Sequence, residues 1–155
     1  DKSETIEKIR KEFNPLQLEL IKSHVTLCRE DELDPIEQVM QNLEKLNHTY
    51  ISINFGPVIK FSDDKGVLIP ATGENEEFHQ LRKLILEGVI ENPRNHEPHI
   101  TLLHPRNSTC TESIFQQIAK IKLPDKIAFK KISLIAQEGE SKWNILEEYT
   151  LKDRG

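Results

Sequence analysis

Two short segments with the same residue pattern carry the side chains best suited to chemistry. Residues 23–27 read Ser-His-Val-Thr-Leu, and residues 98–102 read Pro-His-Ile-Thr-Leu. In an extended strand successive side chains point to opposite faces, so the His and the Thr of each segment share one face. Each segment would present an imidazole beside a hydroxyl. His24 and His99 are 75 residues apart, about half of the chain, which suggests two similar lobes facing each other across a cleft.

A facing pair of histidines suits the opening of a phosphodiester. This reaction needs a base to take a proton from water and an acid to protonate the departing oxygen. Imidazole, with a usual pKa of about 6.5, can serve in either role near neutral pH. Attack and departure lie roughly in line on opposite sides of phosphorus, so two lobes could supply the pair. Thr26 and Thr101 each lie two residues after the His of their own motif, on the same face, and could donate hydrogen bonds to the phosphoryl oxygens. The scheme requires no metal and no cofactor.

The two motifs, His24 with Thr26 and His99 with Thr101, resemble the double H-x-[ST]-L signature of the two-histidine (2H) phosphoesterase superfamily, the LigT-like or 2′-5′ RNA ligase-like proteins. The resemblance is specific at the motifs and covers nearly the whole chain in element order. It implies an α+β, two-lobed fold in which two antiparallel sheets form a central cleft and the helices pack outside. It also implies metal-independent chemistry on cyclic or 2′-5′ phosphodiesters, with both histidines as acid and base and both threonines as phosphate-binding residues.

Length and apolar spacing predict one domain spanning residues 1–155, since 155 residues with 36% hydrophobic and 30% charged side chains are typical of a single globular unit. The second half follows the element order of the family, whereas the first half lacks the strand that usually precedes the first helix. Residues 16–21 fit a strand or a helix. The other expected elements are helices over 2–12, 35–46, 74–90 and 111–120, and strands over 23–30, 50–55, 58–61, 67–70, 98–103, 127–137 and 142–151.

Charge and cysteine content restrict the partners and the cellular location that we expect for this protein. The net charge of −5 argues against a broad nucleic-acid surface, but not against an enzyme that binds one terminal phosphate. The two cysteines, Cys28 and Cys110, form no disulfide framework, which favours a reduced, cytoplasmic location. There is no run of 18 apolar residues and no secretory signal, so we expect no membrane contact. We expect a monomer.

Other polar residues are weaker candidates. Arg106, which follows the second motif, could bind a substrate phosphate, and Tyr50 could stack on a base. A metal site built from His96, Glu97 and His99 is an alternative. Its spacing is weakly diagnostic, and because Pro98 opens the strand the three side chains need not converge.

The sequence therefore predicts a phosphodiesterase that hydrolyses 2′,3′-cyclic or 2′-5′ phosphodiester bonds of RNA ends or small nucleotides. The alternative is a non-catalytic RNA- or nucleotide-binding module that uses the same cleft.

Overall fold

The computed structural model describes residues 3–153, and this part of the chain contains five α-helices and seven β-strands. A short 3₁₀ helix, Glu30–Glu32, lies between α2 and α3. The helices are α1 (Ser3–Phe13), α2 (Pro15–Leu20), α3 (Ile36–Glu44), α4 (Glu76–Ile85) and α5 (Glu112–Ala119). The strands are β1 (Ile51–Asn54), β2 (Ile59–Phe61), β3 (Gly66–Pro70), β4 (His99–Leu103), β5 (Lys126–Phe129), β6 (Lys131–Ala136) and β7 (Asn144–Thr150).

The strands of the described residues form three short antiparallel sheets. β1 pairs with β5, β2–β3–β4 lie side by side in that order, and β6 and β7 form a hairpin. A bridge between Phe55 and Ala71 joins the end of β1 to the end of β3. A second bridge, between Val25 and Ile100, places the first motif beside β4. β4 therefore lies between β3 and the first motif.

The core is built from the apolar faces that the sequence pattern predicts. In β4, Ile100 and Leu102 are buried, while the alternating residues His99 and Thr101 stay partly accessible. The same alternation is present in β1. The helices cover the core with residues at helical spacing, such as Phe78 on α4. None of the helices within residues 3–153 is long and apolar enough to cross a membrane.

The α+β class with antiparallel sheets is confirmed, and most of the expected elements are found within a few residues of their predicted bounds. The strands are divided among three sheets where two were expected. Residues 16–21 resolve as a helix, since α2 covers most of them. The strand expected over 127–137 breaks at Lys130, because β5 pairs with β1 whereas β6 pairs with β7.

The prediction of a strand over residues 23–30 is wrong. This segment forms one bridge, at Val25, and has no regular ladder. The physical reason is that side chains, rather than a neighbouring strand, hydrogen-bond to several of its main-chain groups. The carbonyls of Thr26 and Leu27, for example, accept from His96 and Arg82.

Leu102 tests whether the apolar face of β4 packs into the core. Its side chain is 0% exposed, so Leu102→Ala should lower the free energy of unfolding by about 2–5 kcal/mol, measured by chemical denaturation. Leu146, which is 58% exposed on β7, is the control, and Leu146→Ala should change stability by less than about 0.5 kcal/mol. Equal effects of the two substitutions would contradict the assignment of the core face.

Candidate active site

The bridge between Val25 and Ile100 brings the two motifs side by side. Paired residues of antiparallel strands direct their side chains to the same face of the sheet. Ile100 is buried and Val25 packs against the core, so this shared face is the inner one. The residues on either side of each bridge partner therefore belong to the opposite, outer face, where all four His and Thr side chains of the motifs lie.

The antiparallel direction of the bridge also sets which residues are opposite each other. Moving one position away from the bridge in either direction aligns His24 with Thr101 and Thr26 with His99. Each imidazole is thus opposite the hydroxyl residue of the other motif. The result is a quartet with approximate two-fold symmetry, in which the two histidines occupy diagonal corners.

Both imidazoles are oriented in the same way by the main chain. Nδ1 of His24 lies 2.8 Å from the carbonyl oxygen of Lys22, and Nδ1 of His99 lies 3.1 Å from that of Glu97. Since a carbonyl oxygen can only accept, Nδ1 carries the proton in each hydrogen bond. Nε2 of each ring is then the nitrogen left to accept or donate a proton.

The environment of His24 favours its neutral form. Desolvation lowers the pKa of His24 below its usual value, and the positive charge of Arg10 and of a protonated His99 lowers it further. The hydrogen bond to Lys22 and the charge of Glu7 act in the opposite direction but do not outweigh these effects. Two histidines within electrostatic range of one another will not readily both be charged.

His96 connects the two motifs, a role that the sequence did not reveal. Its Nε2 lies 2.9 Å from the carbonyl oxygen of Thr26, and its ring centroid lies 6.0 Å from that of His99. The ring also stacks on Phe78 of α4 at 6.2 Å. Desolvation, followed by the charges of Arg82 and His99, lowers the pKa of His96, so the ring is neutral and can donate to Thr26 at neutral pH. The sequence signal for this role was the position of His96, three residues before His99 of the second motif.

The metal site considered from the sequence does not assemble. The carboxylate of Glu97 lies 3.6 Å from Nε2 of His79, while His96 bonds to the main chain of Thr26. Within residues 3–153, no group of three or more His, Cys, Asp or Glu side chains is arranged to hold a metal ion.

A buried ion pair holds the end of the first motif. Arg82 and Glu32 are 2% and 3% exposed, and their two hydrogen bonds measure 2.9 and 3.1 Å. Arg82 also donates to the carbonyl oxygens of Leu27, at 2.7 Å, and of Arg94, at 3.0 Å. Glu32 accepts from the main-chain N–H of Arg29 at 2.8 Å. This one pair connects α4, the end of the first motif and the segment that leads to the second.

Two further residues, Arg106 and Tyr50, were predicted from the sequence to contact the substrate. The main-chain N–H of Arg106 lies 3.2 Å from Nδ1 of His104. The pKa of His104 is lowered by desolvation and then by the charges of Arg106, Arg10 and His24, so this part of the loop is within electrostatic range of the first motif. Tyr50 has Lys130 Nζ 5.6 Å from its ring centroid, and its main-chain N–H donates to Lys152. Both assignments to substrate remain predictions.

Cys28, which directly follows the first motif, is not an activated thiol. Burial raises the pKa of Cys28 to about 12, and the charge of Arg82 only partly opposes this. The side chain therefore stays protonated at neutral pH and acts as an apolar filler.

Comparison with solved structures shows the fold to which these motifs belong. LigT of E. coli, in complex with ATP, superposes with a TM-score of 0.65 at 15% identity, over 97% of this chain and 90% of that chain. A structure described as a phosphoesterase gives 0.59 at 15% identity, over 97% and 91%. The protein TT0787 of Thermus thermophilus gives 0.57 at 13% identity, over 97% and 92%. The chain has the LigT-like fold.

The family follows from the sequence itself. Residues 1–140 match the model of the 2′-5′ RNA ligase superfamily, and the chain belongs to this family. The resemblance inferred from the two motifs is thereby confirmed. A comparison with curated protein sequences gave no match.

The ion pair of Glu32 should dominate the acid sensitivity of the fold. Burial opposes its ionisation, but hydrogen bonds from Arg82 and Arg29 and the charges of Arg82 and Arg94 outweigh burial and lower the pKa of Glu32 to about 2. A carboxyl with a lowered pKa stabilises the folded state above its unfolded pKa of about 4.3, and this stabilisation is lost as the pH falls toward 2. Glu32→Gln should lower the free energy of unfolding by about 3–5 kcal/mol at pH 7, because it leaves Arg82 buried without its counter-charge.

Denaturant unfolding at pH 7 and pH 3 measures both effects. The difference between the wild type and Glu32→Gln should narrow by about 1–2 kcal/mol at pH 3. Glu4→Gln, which breaks the exposed ion pair with Lys8, is the control and should cost less than about 1 kcal/mol. A pH-independent difference would show that folding does not change the pKa of Glu32, and would contradict the lowered pKa.

Proposed function

We propose that this protein is a metal-independent phosphodiesterase that hydrolyses 2′,3′-cyclic or 2′-5′ phosphodiester bonds of RNA ends or small nucleotides. The observation that carries the proposal is the bridge between the two motifs, which places two histidines and two threonines on one face. Family membership supports phosphoester chemistry in general. The LigT complex with ATP supports a nucleotide-containing substrate, which we extend to this chain.

In the proposed reaction His24 is the base and His99 is the acid. Nε2 of His24, neutral because its pKa is lowered, removes a proton from the attacking water as the new P–O bond forms. The bond to the departing ribose oxygen breaks on the opposite side of phosphorus, and Nε2 of His99 donates a proton to that oxygen. The hydroxyls of Thr26 and Thr101 donate hydrogen bonds to the non-bridging oxygens as negative charge develops there.

The remaining parts of the proposal concern setting and substrate contact. Both described cysteines are free thiols, which is consistent with a reduced cytoplasmic location. Arg106 is exposed on the loop after β4 and is proposed to contact a substrate phosphate, while Tyr50 is proposed to contact a base. The protein is proposed to act as a monomer.

Hydrolysis of a 2′,3′-cyclic nucleotide in the presence of EDTA tests the function directly. Because the proposed acid–base scheme uses only side chains, turnover should be unchanged by the chelator. Abolition by EDTA with recovery on adding a divalent cation would contradict the proposal. Binding of the nucleotide without turnover would indicate instead that the cleft is a non-catalytic binding module.

Removal of either histidine should separate chemistry from folding. His24→Ala and His99→Ala should each lower kcat by about 10²–10⁴, the usual size of one acid–base contribution. Since both act in one transition state, the double variant should lose less than the product of the single losses. The melting temperature should change little. His48→Ala is the matched control, because His48 also bonds to a main-chain carbonyl but lies outside the motifs. Full activity of either motif variant would exclude that histidine from catalysis.

The pH dependence of kcat/KM should reflect the lowered pKa of His24. The acid limb reports protonation of the base, so its midpoint should lie below about 6.5, and activity should fall again once the general acid has lost its proton. Initial rates across the range from acid to mildly alkaline pH under subsaturating substrate measure the profile. An acid limb centred above the usual histidine pKa would contradict the assignment of His24 as the base.

A further inference from the structure

The main chain just before His24 is held by side chains rather than by a sheet. Residues 21–24 belong to no strand or helix, and the nearest bridge is at Val25. Yet the carbonyl oxygen of Lys22 is the group that orients the His24 imidazole. Whatever fixes the peptide groups around Lys22 therefore controls the direction in which His24 faces.

Two side chains of α1 contact the peptide groups on both sides of Lys22. Arg10 donates from its terminal nitrogen to the carbonyl oxygen of Ile21 at 2.8 Å. Glu7 accepts from the main-chain N–H of Ser23 at 2.8 Å, and the same carboxylate oxygen accepts from Arg10 at 3.3 Å. The two side chains thus form one hydrogen-bonded unit that holds the residue before Lys22 and the residue after it.

In the second motif, regular strand pairing holds the main chain that orients the histidine. Its His99 is also oriented by a carbonyl two residues earlier, that of Glu97. The next residue, Pro98, is held by the main chain, since its carbonyl accepts from the N–H of Ala71 at 3.1 Å and β4 continues from there in register with β3. The first motif has an ion pair where the second has a strand partner.

The burial of the Arg10 side chain is energetically unfavourable. Its side chain is 2% exposed, and its Nε is a buried donor that has no hydrogen-bond partner among residues 3–153. It occupies the apolar stripe of α1, together with Ile6, Ile9 and Phe13. A residue selected only for packing would be apolar there, because a buried, incompletely paired guanidinium contributes little to stability.

We propose that Glu7 and Arg10 are positioning residues that orient the His24 imidazole through the main chain of residues 21–23. The proposal rests on the proposed function only in that it makes His24 the group whose orientation matters. The ionisable groups that bear on His24 are Arg10 and Glu7 from α1, His99 from β4 and His104 from the loop after β4.

Variants at Glu7 separate hydrogen bonding from charge. Glu7→Ala removes the acceptor of the Ser23 N–H, whereas Glu7→Gln keeps an oxygen that can accept from both Ser23 and Arg10. Misplacement of a reacting group by a fraction of an ångström to about 1 Å can lower rates by up to about 10²-fold, so Glu7→Ala should reduce kcat by about ten-fold or more. KM should change by less than about two-fold, because the loss concerns the transition state. Glu7→Gln should recover most of the activity.

Variants at Arg10 test the other half of the unit. Arg10→Lys retains a donor for the carbonyl of Ile21 and should keep more activity than Arg10→Met, which retains only the apolar stem. Because Arg10 lowers the pKa of His24, its removal should also move the acid limb of kcat/KM to higher pH. The exposed pair Glu4–Lys8 on the same helix provides the control, and Glu4→Ala should leave kcat and the pH profile unchanged.

Imidazole nitrogen NMR measures the orientation independently of activity. In the wild type, neutral His24 should be the tautomer protonated at Nδ1. In Glu7→Ala and Arg10→Met, the Nε2-protonated tautomer should increase at His24 but not at His99, whose carbonyl partner lies elsewhere. An unchanged His24 tautomer in both variants would overturn the proposal, even if activity fell.

The two proposals fail in distinguishable ways. If the wild type turns over no cyclic phosphodiester, the proposed function is wrong, but the tautomer measurement still decides whether Glu7 and Arg10 orient His24. If the wild type is active and Glu7→Ala retains its full kcat and its His24 tautomer, the positioning role is wrong and the function stands.

Discussion

The Arg82–Glu32 ion pair is the interaction on which the arrangement of the site depends most. It is buried, and through Leu27, Arg29 and Arg94 it ties two chain segments, the end of the first motif and the approach to the second, to α4. A buried pair of this kind adds little net stability relative to an apolar replacement, but its removal leaves an uncompensated charge. Its geometric role is therefore the larger one, because its directional hydrogen bonds determine where the first motif ends and where the approach to the second begins.

The two motifs are alike in sequence and in the orientation of their histidines, but they are supported by different means. The second lies in β4 and is held by a strand ladder on one side. The first contributes a single bridge residue, and several main-chain groups in it and just before it bond instead to the side chains of Glu7, Arg10, His96 and Arg82. In a strand ladder the hydrogen bonds are distributed over many equivalent peptide groups. Each of these four side chains, in contrast, bonds to only one or two main-chain groups. The first motif is thus the half of the site that point substitutions outside it can displace.

The buried arginines carry a signal that a sequence reading can use. Arg10 follows Ile6 and Ile9 in the stripe of α1, and Arg82 follows Phe78 and Leu81 in that of α4, at the same spacing. A charged residue at an apolar position of a helical repeat indicates a buried partner. The charged partner of Arg10 is Glu7 on the same helix, but Arg82 bonds with Glu32, which is 50 positions earlier in the chain. Spacing along one helix contains no information about such a distant residue.

The sequence alone determined the α+β class and the family, because helical and strand periodicities are local and the repeated His-x-Thr-Leu pattern is specific. It also determined the inner and outer faces of β4. Only the tertiary structure decided that residues 15–20 form a helix, that the first motif is not a strand, and that the strands divide among three sheets. For the first motif and the sheets, the physical reason is that the outcome depends on which distant group satisfies a main-chain hydrogen bond, and chain position does not specify that group. The segment of α2 is too short for its apolar spacing to distinguish a helix from a strand.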